Sequence, residues 1–581
     1  MEKTARKTAI VVGAGAGGIA TAARLAKAGF SVTVLEKNSF TGGRCSLMTQ
    51  GGHRFDQGPS LLLLPKLFHE VFHDLETTLE AEGVELLQCP TNYKVWFADG
   101  ENFELSTDLA RMKTQIERWE GKYGFSRYLA WLREAHDHYE LSVSHVLSRN
   151  FTSLWELMTP RFVVTGLRLH PLHTIWGRAA NYFWSERLRR VFTFATMYMG
   201  MSPFDAPATY SLLQYTELAE GIWYPRGGFH AVLAALQRVG ERLGVEYWLN
   251  APVDEILTHA DGKTARGVRL QWGEVLEADV VVVNADLVYA YNNLFPQASP
   301  TVHNYGKSLL QKDGSCSSIS FYWSLDRKIP QLQTHNIFLA DGYRESFDAI
   351  FDRKTLPEEP SFYVNVPSRI DPSAAPEGRD TVVVLVPVGH LKESRMVEEG
   401  ADKEQQQGLS REKNEWPALI SRARRAILST ITARTGCNDI GQCIQHEMIN
   451  DPFSWEDKFN LDKGSILGLS HSFFNVLAFR PSTRAKGFAG VYFVGASTHP
   501  GTGVPIVLAG SKITAEQILE DMKVVVPWRD RGRMIRDYGV PQTAMTGCLD
   551  VLHEPYYYRA MASLVLVAWV ALVLAYGRPL L

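Results

Sequence analysis

The chain has 581 residues, of which 45% are hydrophobic and 21% charged, a balance that excludes both a disordered chain and a polytopic membrane protein. Its formal net charge of -3, from 60 basic and 63 acidic residues, provides no global field for gathering nucleic acid or other polyanions. The length exceeds what one hydrophobic core supports, so we expect an enzyme with two or more domains.

The cysteines show neither a CxxC pair nor the dense spacing of a secreted disulfide framework. We interpret them as mostly free thiols that face a reducing compartment. They are Cys45, Cys89, Cys316, Cys437, Cys443 and Cys548.

The first predicted elements form one βαβ unit. An apolar strand covers Thr8–Val12, an alanine-rich helix runs from about Gly17 to Ala28, and a second strand covers Ser31–Leu35. This order is typical of a parallel sheet with a helical crossover. The pattern therefore predicts the α/β class.

A glycine loop joins the first strand to the helix. Gly13, Gly15 and Gly18 form G-x-G-x-x-G, and Glu36 ends the next strand. The first glycine permits a tight turn, the second lets backbone approach a pyrophosphate, and the third lets the helix pack on the strand. Helix amides then hold the phosphates, and Glu36 accepts hydrogen bonds from a ribose. The motif predicts a bound dinucleotide but does not separate NAD from FAD.

The pattern then becomes helical and aromatic from about 105 to 223. A nucleotide-domain pattern returns near Tyr224–Gly228, followed by an amphipathic helix and strands around Val245 and Val280. Such a return implies a discontinuous domain.

Sheet-forming segments dominate from about 304 to 480. Strands such as Ser318–Trp323 and Thr381–Val388 are separated by Pro-rich and charged connections. Residues 490–521 again have the pattern of a strand, a loop and a helix.

An apolar segment lies near the carboxyl end. Ala560–Tyr576 is apolar except for Ser563, with tyrosines and Arg559 before it and Arg578 after it. As a helix it would reach ~25 Å against a hydrocarbon core of ~30 Å, and the flanks are typical of interface anchors. We predict a single membrane anchor, with a buried terminal helix as the alternative. Arginines at 529, 531, 533 and 536 favour a catalytic body on the cytoplasmic side.

Several segments resemble one known family. Val11–Gly18, Leu35–Lys37 and Gly42–Arg44 are similar to the FAD-binding opening of the amine oxidase and phytoene desaturase superfamily. Further matching segments are Phe55–Ser60, Tyr224–Gly228, Ala251–Ile256, Ala278–Asp286 and Val494–Pro505. The last of these resembles the carboxyl-side signature of bacterial and fungal phytoene desaturases, and the terminal apolar segment favours the fungal form. Ile506 stands where the resemblance leads us to expect glycine.

The resemblance implies a set of FAD-binding residues. Arg44 would contact the diphosphate, for which its planar donor fork is suited, and the backbone of Val253 would meet the adenine. The full set is Gly13, Gly15, Gly18, Glu36, Gly43, Arg44, Gly58, Pro59, Val253, Gly495, Pro500, Gly503 and Val504.

The expected fold is α/β, with a discontinuous Rossmann-like FAD-binding domain, an inserted β-sheet substrate domain, a helical membrane-facing region and a C-terminal transmembrane helix. The FAD-binding domain takes three stretches of chain, separated by the helical and substrate regions. The predicted order is a first FAD-binding stretch at 1–104, the helical region at 105–223, a second FAD-binding stretch at 224–303, the substrate domain at 304–489, a third FAD-binding stretch at 490–522, a linker at 523–555 and the anchor at 556–577.

The resemblance implies that the enzyme desaturates phytoene stepwise to lycopene or 3,4-didehydrolycopene in carotenoid biosynthesis. Removing hydrogen from a saturated carbon pair needs a two-electron acceptor that no side chain supplies, and FAD is expected in this role, with NAD as the alternative. Expected partners are phytoene, partly desaturated carotenes, the lipid bilayer, and quinone or oxygen as terminal acceptor; no nucleic acid is expected, and homo-oligomerisation stays open. The expected location is the endoplasmic reticulum membrane.

The proton acceptor is not identifiable from the sequence. Asp205, Glu217 and Glu220 are candidates only because they lie near segments expected to reach the flavin, and an interpretation as surface carboxylates is favoured for each.

The sequence also contains a zinc-protease pattern, His69-Glu70-Val71-Phe72-His73. No third ligand follows at a characteristic spacing, so we expect no metal.

Other functions within the same superfamily stay open. The enzymatic alternatives are a related FAD-dependent oxidase, acting on amines or porphyrinogens, and a carotenoid isomerase. The non-enzymatic alternative is a prenyl-lipid carrier similar to the GDP-dissociation inhibitors.

Overall fold

The structure is a computed structural model that describes residues 6–529, with gaps within 152–167, at 394–402 and at 438–439. Most of the predicted linker at 523–555 and all of the predicted anchor at 556–577 lie outside the described residues. Among the residues that are described, no helix has both the length and the apolar composition to cross a bilayer.

A five-stranded parallel sheet lies at the centre of the nucleotide-binding half. Its central strands are buried on both faces, which explains uniformly apolar runs such as the one in Val280–Val283. The strand order is Val491–Phe493, Val280–Val283, Thr8–Val12, Ser31–Leu35 and Val245–Trp248. The chain thus contributes to this sheet in three separate stretches.

Three helices pack over this sheet, and the first of them contacts both others. They are Ala16–Lys27, His230–Arg242 and Val504–Asp521. The first is rich in glycine and alanine on its buried positions, which lets the neighbouring helices approach closely. It ends within a residue of the predicted boundary.

A seven-stranded mixed sheet forms the second half of the molecule. Its longest strand, Ser317–Leu325, lies second from one edge and is buried throughout. The strand order is Ile444–Asn450, Ser317–Leu325, Thr381–Val388, Phe362–Asn365, His335–Phe338, Tyr93–Trp96 and Asn102–Leu105. Tyr93–Trp96 lies within the predicted first FAD-binding stretch at 1–104, but the structure pairs it with His335–Phe338 and with Asn102–Leu105, so both strands belong to this sheet.

A long helix, Lys403–Thr435, covers one face of the seven-stranded sheet. The sequence pattern, interpreted as strands and connections from about 304 to 480, did not predict this helix. Only a narrow stripe of the helix, including Trp416, Ala423 and Ile427, packs on the sheet core, so its overall composition resembles that of a loop.

A helical, aromatic layer adjoins the seven-stranded sheet, as the pattern from 105 to 223 predicts. Its helices surround a core of aromatic side chains that includes Tyr93, Trp131 and Phe192. They are Leu109–Glu120, Gly124–Ser142, Ile175–Ala179, Glu186–Val191 and Leu212–Tyr215, with π-helical turns at Val143–Leu147 and Thr216–Glu220.

Smaller elements connect these layers. The strands form two antiparallel pairs and a three-stranded sheet: Leu47–Gln50 with His53–Asp56, Leu86–Gln88 with Trp223–Pro225, and Val253–Thr258, Ala265–Leu270 and Val275–Glu277. The helices are Pro65–Asp74, Leu287–Tyr289, Pro300–Leu310, Tyr343–Phe351 and Pro452–Phe459.

Candidate functional site

One cavity of about 900 Å³ connects the two sheets. On one side it is lined by residues at the carboxyl ends of the parallel strands, including Val12, Leu35 and Phe493. On the other side it reaches strands of the seven-stranded sheet, at Ser317 and Tyr363. The carboxyl edge of an open parallel sheet is where α/β folds bind their ligands.

The glycine loop forms the floor of this cavity. Gly13 has a φ of 100° and donates its amide hydrogen to the carbonyl of Leu35 at 2.7 Å. A Cβ at Gly18 would lie 2.1 Å from the carbonyl oxygen of Gly13, so no side chain fits there. The helix Ala16–Lys27 begins at the cavity without a side-chain cap, which leaves its first amide groups available to an anion.

Glu36 holds the loop from the neighbouring strand. One carboxylate oxygen accepts a hydrogen bond from the amide of Ala14 at 2.8 Å, and the other accepts from the amide and side chain of Asn38, both at 2.9 Å. The carboxylate is buried and lines the cavity. Its position beside the loop suits a ribose hydroxyl, as the sequence predicts.

The segment Gly42–Arg44 crosses directly over the glycine loop. Gly42, with a φ of 96°, donates its amide hydrogen to the carbonyl of Ala14 at 2.8 Å. Arg44 lines the cavity and donates to the carbonyl of Ile466. Burial lowers the pKa of the Arg44 guanidinium, and the nearby Cys45 and Asp286 partly offset this decrease.

The predicted cofactor residues converge on this cavity from distant stretches of the chain. Gly18 does not line it and instead packs inside the loop and helix. The residues that do line it are Gly13, Gly15, Glu36, Gly43, Arg44, Gly58, Pro59, Val253, Gly495, Pro500, Gly503 and Val504. Their individual roles as FAD contacts stay predictions.

Ile506 packs in an apolar cluster with Leu64, Leu67 and Tyr139, and it also lines the cavity. The departure from glycine therefore adds apolar surface to the cavity wall.

Arg480 supports the cavity wall without lining it, and the sequence pattern does not indicate it. Its side chain is buried and donates to the carbonyls of Thr498 at 3.1 Å, Ser470 at 3.1 Å and Asn475 at 2.8 Å, with further bonds to Leu469 and Ala496. Burial lowers the pKa of its guanidinium to about 10. It fastens the loop before Pro500 to the cavity wall. Because every acceptor is a backbone carbonyl, no residue pattern could reveal this contact.

The aromatic segment around 192–198 divides between core and cavity. Phe192 is core, whereas Phe194, Met197 and Tyr198 line the cavity. With Leu61 and many further aliphatic side chains, they make the far end of the cavity apolar.

The three candidate carboxylates lie outside the cavity lining. Asp205 is exposed, and Glu220 accepts hydrogen bonds from the hydroxyls of Tyr139 and Thr216, both at 2.9 Å. Glu217 is fully buried, so the interpretation of it as a surface carboxylate is wrong. Its turn packs under the aromatic layer, and burial raises the pKa of Glu217 to about 8.

The zinc-protease pattern lies on the helix Pro65–Asp74. His69 and His73 are exposed, and Glu70 pairs with the Lys512 ammonium at 2.6 Å. The pattern therefore contributes an ion pair between two helices of the nucleotide-binding half.

A second group of potential metal donors, Glu134, His138 and His170, has ligand atoms within 4.8 Å of one another. Glu134 pairs with Arg178, and both ring nitrogens of His138 have partners, the Ser211 hydroxyl and the Arg168 carbonyl. These donors are thus already engaged in holding the helical layer together.

Fold and cavity together define a dinucleotide-dependent enzyme with an apolar substrate space. The family model for flavin-containing amine oxidoreductases matches residues 16–411. The phytoene desaturase of Neurospora crassa is 62% identical over 538 residues, which cover 91% of this chain and 88% of that protein. The phytoene desaturase of Cercospora nicotianae is 56% identical over an alignment that covers 95% of this chain and 94% of that protein.

The solved structure of a putrescine oxidase bound to putrescine shares the fold, with a TM-score of 0.55 at 16% identity, over 89% of this chain and 99% of that one. The chain belongs to the flavin-containing amine oxidoreductase family and, within it, to the phytoene desaturases. The prediction of an FAD-dependent oxidoreductase is confirmed.

Proposed function

We propose that this enzyme desaturates phytoene, introducing several conjugated double bonds to give lycopene or 3,4-didehydrolycopene in carotenoid biosynthesis. The observation that carries the proposal is that one cavity joins the glycine loop to an apolar wall. The relatives named phytoene desaturase, similar over most of their length, support the same substrate.

The residues around the loop fit FAD. The uncapped helix start and Gly15 suit the diphosphate, Glu36 suits the ribose, and the backbone of Val253 suits the adenine. The buried Nε2 of Gln57 in the cavity wall has no hydrogen-bond partner among the described residues, so it is available to a polar ring system. Bound FAD supplies the two-electron acceptor that desaturation requires.

The apolar wall would bind the hydrocarbon by burial alone. Each ~100 Å² of apolar surface removed from water contributes ~2.5 kcal/mol, without directional contacts. A long substrate could therefore shift along the wall, so that successive carbon pairs reach the same point. The wall also excludes water from the reacting carbons.

An exposed aromatic cluster marks one edge of the cavity. Phe473, Phe474 and Phe479 are 40%, 70% and 37% exposed, and their rings contact one another. Phe473 also lines the cavity, as does the neighbouring Leu477. Exposed clusters of this kind are typical of membrane-facing surfaces. We propose that this edge docks on the bilayer in which phytoene dissolves.

The predicted anchor at 556–577 would hold the enzyme on the same membrane, with its body on the cytoplasmic side of the endoplasmic reticulum. Quinone or oxygen is the proposed terminal acceptor.

Product analysis with the full-length, FAD-loaded protein in phytoene-containing liposomes tests the proposal. We expect phytoene to disappear and lycopene or didehydrolycopene to accumulate. A yellow, folded flavoprotein that leaves phytoene unchanged but oxidises an amine or isomerises a desaturated carotene would refute it.

A further inference from the structure

We propose that Glu217 receives the proton that desaturation releases, and that Tyr93 and Tyr198 connect this carboxylate to the substrate cavity. The inference rests on the proposed function. Desaturation removes a hydride and a proton from adjacent carbons, and the apolar wall offers few groups that could accept the proton.

Glu217 lies in a place where a charged side chain is unfavourable. It is fully buried in the π-helical turn Thr216–Glu220, and no lysine, arginine or histidine among the described residues forms an ion pair with it. Burial of an uncompensated carboxylate carries a large desolvation penalty. π-Helical turns of this kind occur frequently at functional sites.

The hydrogen bonds of Glu217 suit an ionised carboxylate. The Tyr93 hydroxyl donates to Oε1 at 3.0 Å, and the Gln214 amide donates to Oε2 at 3.0 Å. Both oxygens thus accept, an arrangement that can hold the ionised carboxylate once its proton has left. The side chain of Asn92 donates to the backbone carbonyl of Glu217 and holds the turn against the strand that carries Tyr93.

Tyr198 links this pair to the cavity. Its ring stacks on that of Tyr93 with centroids 6.3 Å apart, and it lines the cavity. The Tyr198 hydroxyl is buried and neither donates nor accepts a hydrogen bond with any described residue. It lies close enough to the Tyr93 hydroxyl for each phenol to affect the pKa of the other. Burial, and then the charge of Glu217, raise the pKa of Tyr198 and of Tyr93 well above the ordinary value. Neither phenol ionises alone, so each can pass a proton only while it receives another.

The other titratable groups near this chain of hydroxyls are weaker bases. Tyr363 lies close enough to influence the pKa of Tyr93 and Tyr198, and the ring of His335 lies 6.0 Å from that of Tyr93. Burial lowers the pKa of His335 to about 3, so its ring holds a proton poorly. The raised pKa of Glu217 makes it the strongest proton acceptor of the group.

The proton step balances without a further reactant. The C–H bond beside the oxidised carbon breaks, and its electron pair becomes the new π bond. The proton goes to the oxygen of Tyr198, Tyr198 passes its own proton to Tyr93, and Tyr93 passes its own to Glu217. An O–H bond forms on the carboxylate, while the hydride is accounted for by the flavin-dependent oxidation of the proposed reaction. Glu217 must ionise again before the next turnover.

Turnover of phytoene between about pH 6 and about pH 9, with the full-length FAD-loaded protein in liposomes, tests the path. We expect the wild-type rate to rise with pH until Glu217 is fully ionised. Glu217→Gln should lower the rate by about 100-fold and remove this rise, and Glu217→Asp should partly restore the rate. Tyr198→Phe should act like Glu217→Gln with unchanged FAD content.

Tyr128→Phe is the matched control. Tyr128 lies in the same aromatic core, and its hydroxyl is likewise buried without a partner among the described residues, but it does not line the cavity. This variant should keep the wild-type rate and pH profile.

Infrared difference spectra of the substrate-free protein provide a second readout. We expect the carbonyl band of a buried carboxylic acid to disappear as pH rises, and to be absent in Glu217→Gln. Conversion of phytoene by Glu217→Gln with the wild-type pH profile, or the absence of this band in the wild type, would overturn the inference while leaving the proposed function intact. A wild type that never converts phytoene would overturn both.

Discussion

Replacing Arg480 by lysine should release FAD and destabilise the protein. The guanidinium donates to five backbone carbonyls that belong to two segments of the cavity wall, 469–475 and 496–498. An ammonium has three donors, so at least two carbonyls would lose their partner. Each hydrogen bond to a charged group contributes ~1.5–3 kcal/mol, so the loss of two should lower the free energy of unfolding by on the order of 3–6 kcal/mol.

The loss should appear in two measurements. The urea midpoint of unfolding should fall, and FAD should be lost on gel filtration because the loop that carries Pro500 is no longer held. Arg484→Lys is the matched control: its exposed pair with Asp521 is of the kind that contributes only about 0–1 kcal/mol. If Arg480→Lys kept its FAD and unfolded at the same urea concentration as Arg484→Lys, the reasoning would be refuted.

Three further predictions concern the loop, the membrane edge and the buried acid. Gly18→Val should abolish FAD binding, measured by flavin absorbance, because its Cβ would collide with the Gly13 carbonyl, whereas Gly408→Ala should bind FAD normally. Phe474→Asp should reduce liposome cosedimentation several-fold relative to Trp272→Asp. Both variants replace an exposed aromatic ring by a charge, but only Phe474 lies in the cluster at the cavity edge. Glu217→Gln should make stability, measured as the urea midpoint, less dependent on pH.

The sign of the last effect follows from the raised pKa of Glu217, which is 4.5 unperturbed and about 8 in the folded protein. Between these values the native state holds a proton that the unfolded chain has lost, so stability falls as pH rises. From about pH 6 to about pH 8, the free energy of unfolding should fall by on the order of 2 kcal/mol more in the wild type than in Glu217→Gln. Equal losses in both proteins would contradict the burial of this carboxyl.

Much of the nucleotide-binding half was predictable because its signals are local. The turn at Gly13, the tight contact at Gly18 and the acid at Glu36 all lie within one βαβ unit, where a backbone constraint restricts the residue type directly. The strand Thr381–Val388 was likewise recognisable from its own run of β-branched residues.

Other features depended on partners that are distant in the chain. The strand Tyr93–Trp96 was predicted with the nucleotide-binding half because nothing in its own residues indicates a pairing with His335–Phe338. The helix Lys403–Thr435 was missed because only a narrow stripe of it is apolar. Both errors arise because pairing and packing, which decide the outcome, are not encoded in short windows of sequence.

By itself, the sequence determined the class of fold, the family and the residues that line the nucleotide end of the cavity, since local backbone geometry restricts those positions to few residue types. Only the tertiary structure decided which polar groups lie beneath the apolar end. Glu217 meets the Tyr93 hydroxyl across 124 residues of chain, and Arg480 finds backbone carbonyls as its acceptors. Such contacts exist only once the two sheets and the helical layer pack together. Burial, and not residue type alone, sets the hydrogen-bond partners and the pKa of these side chains.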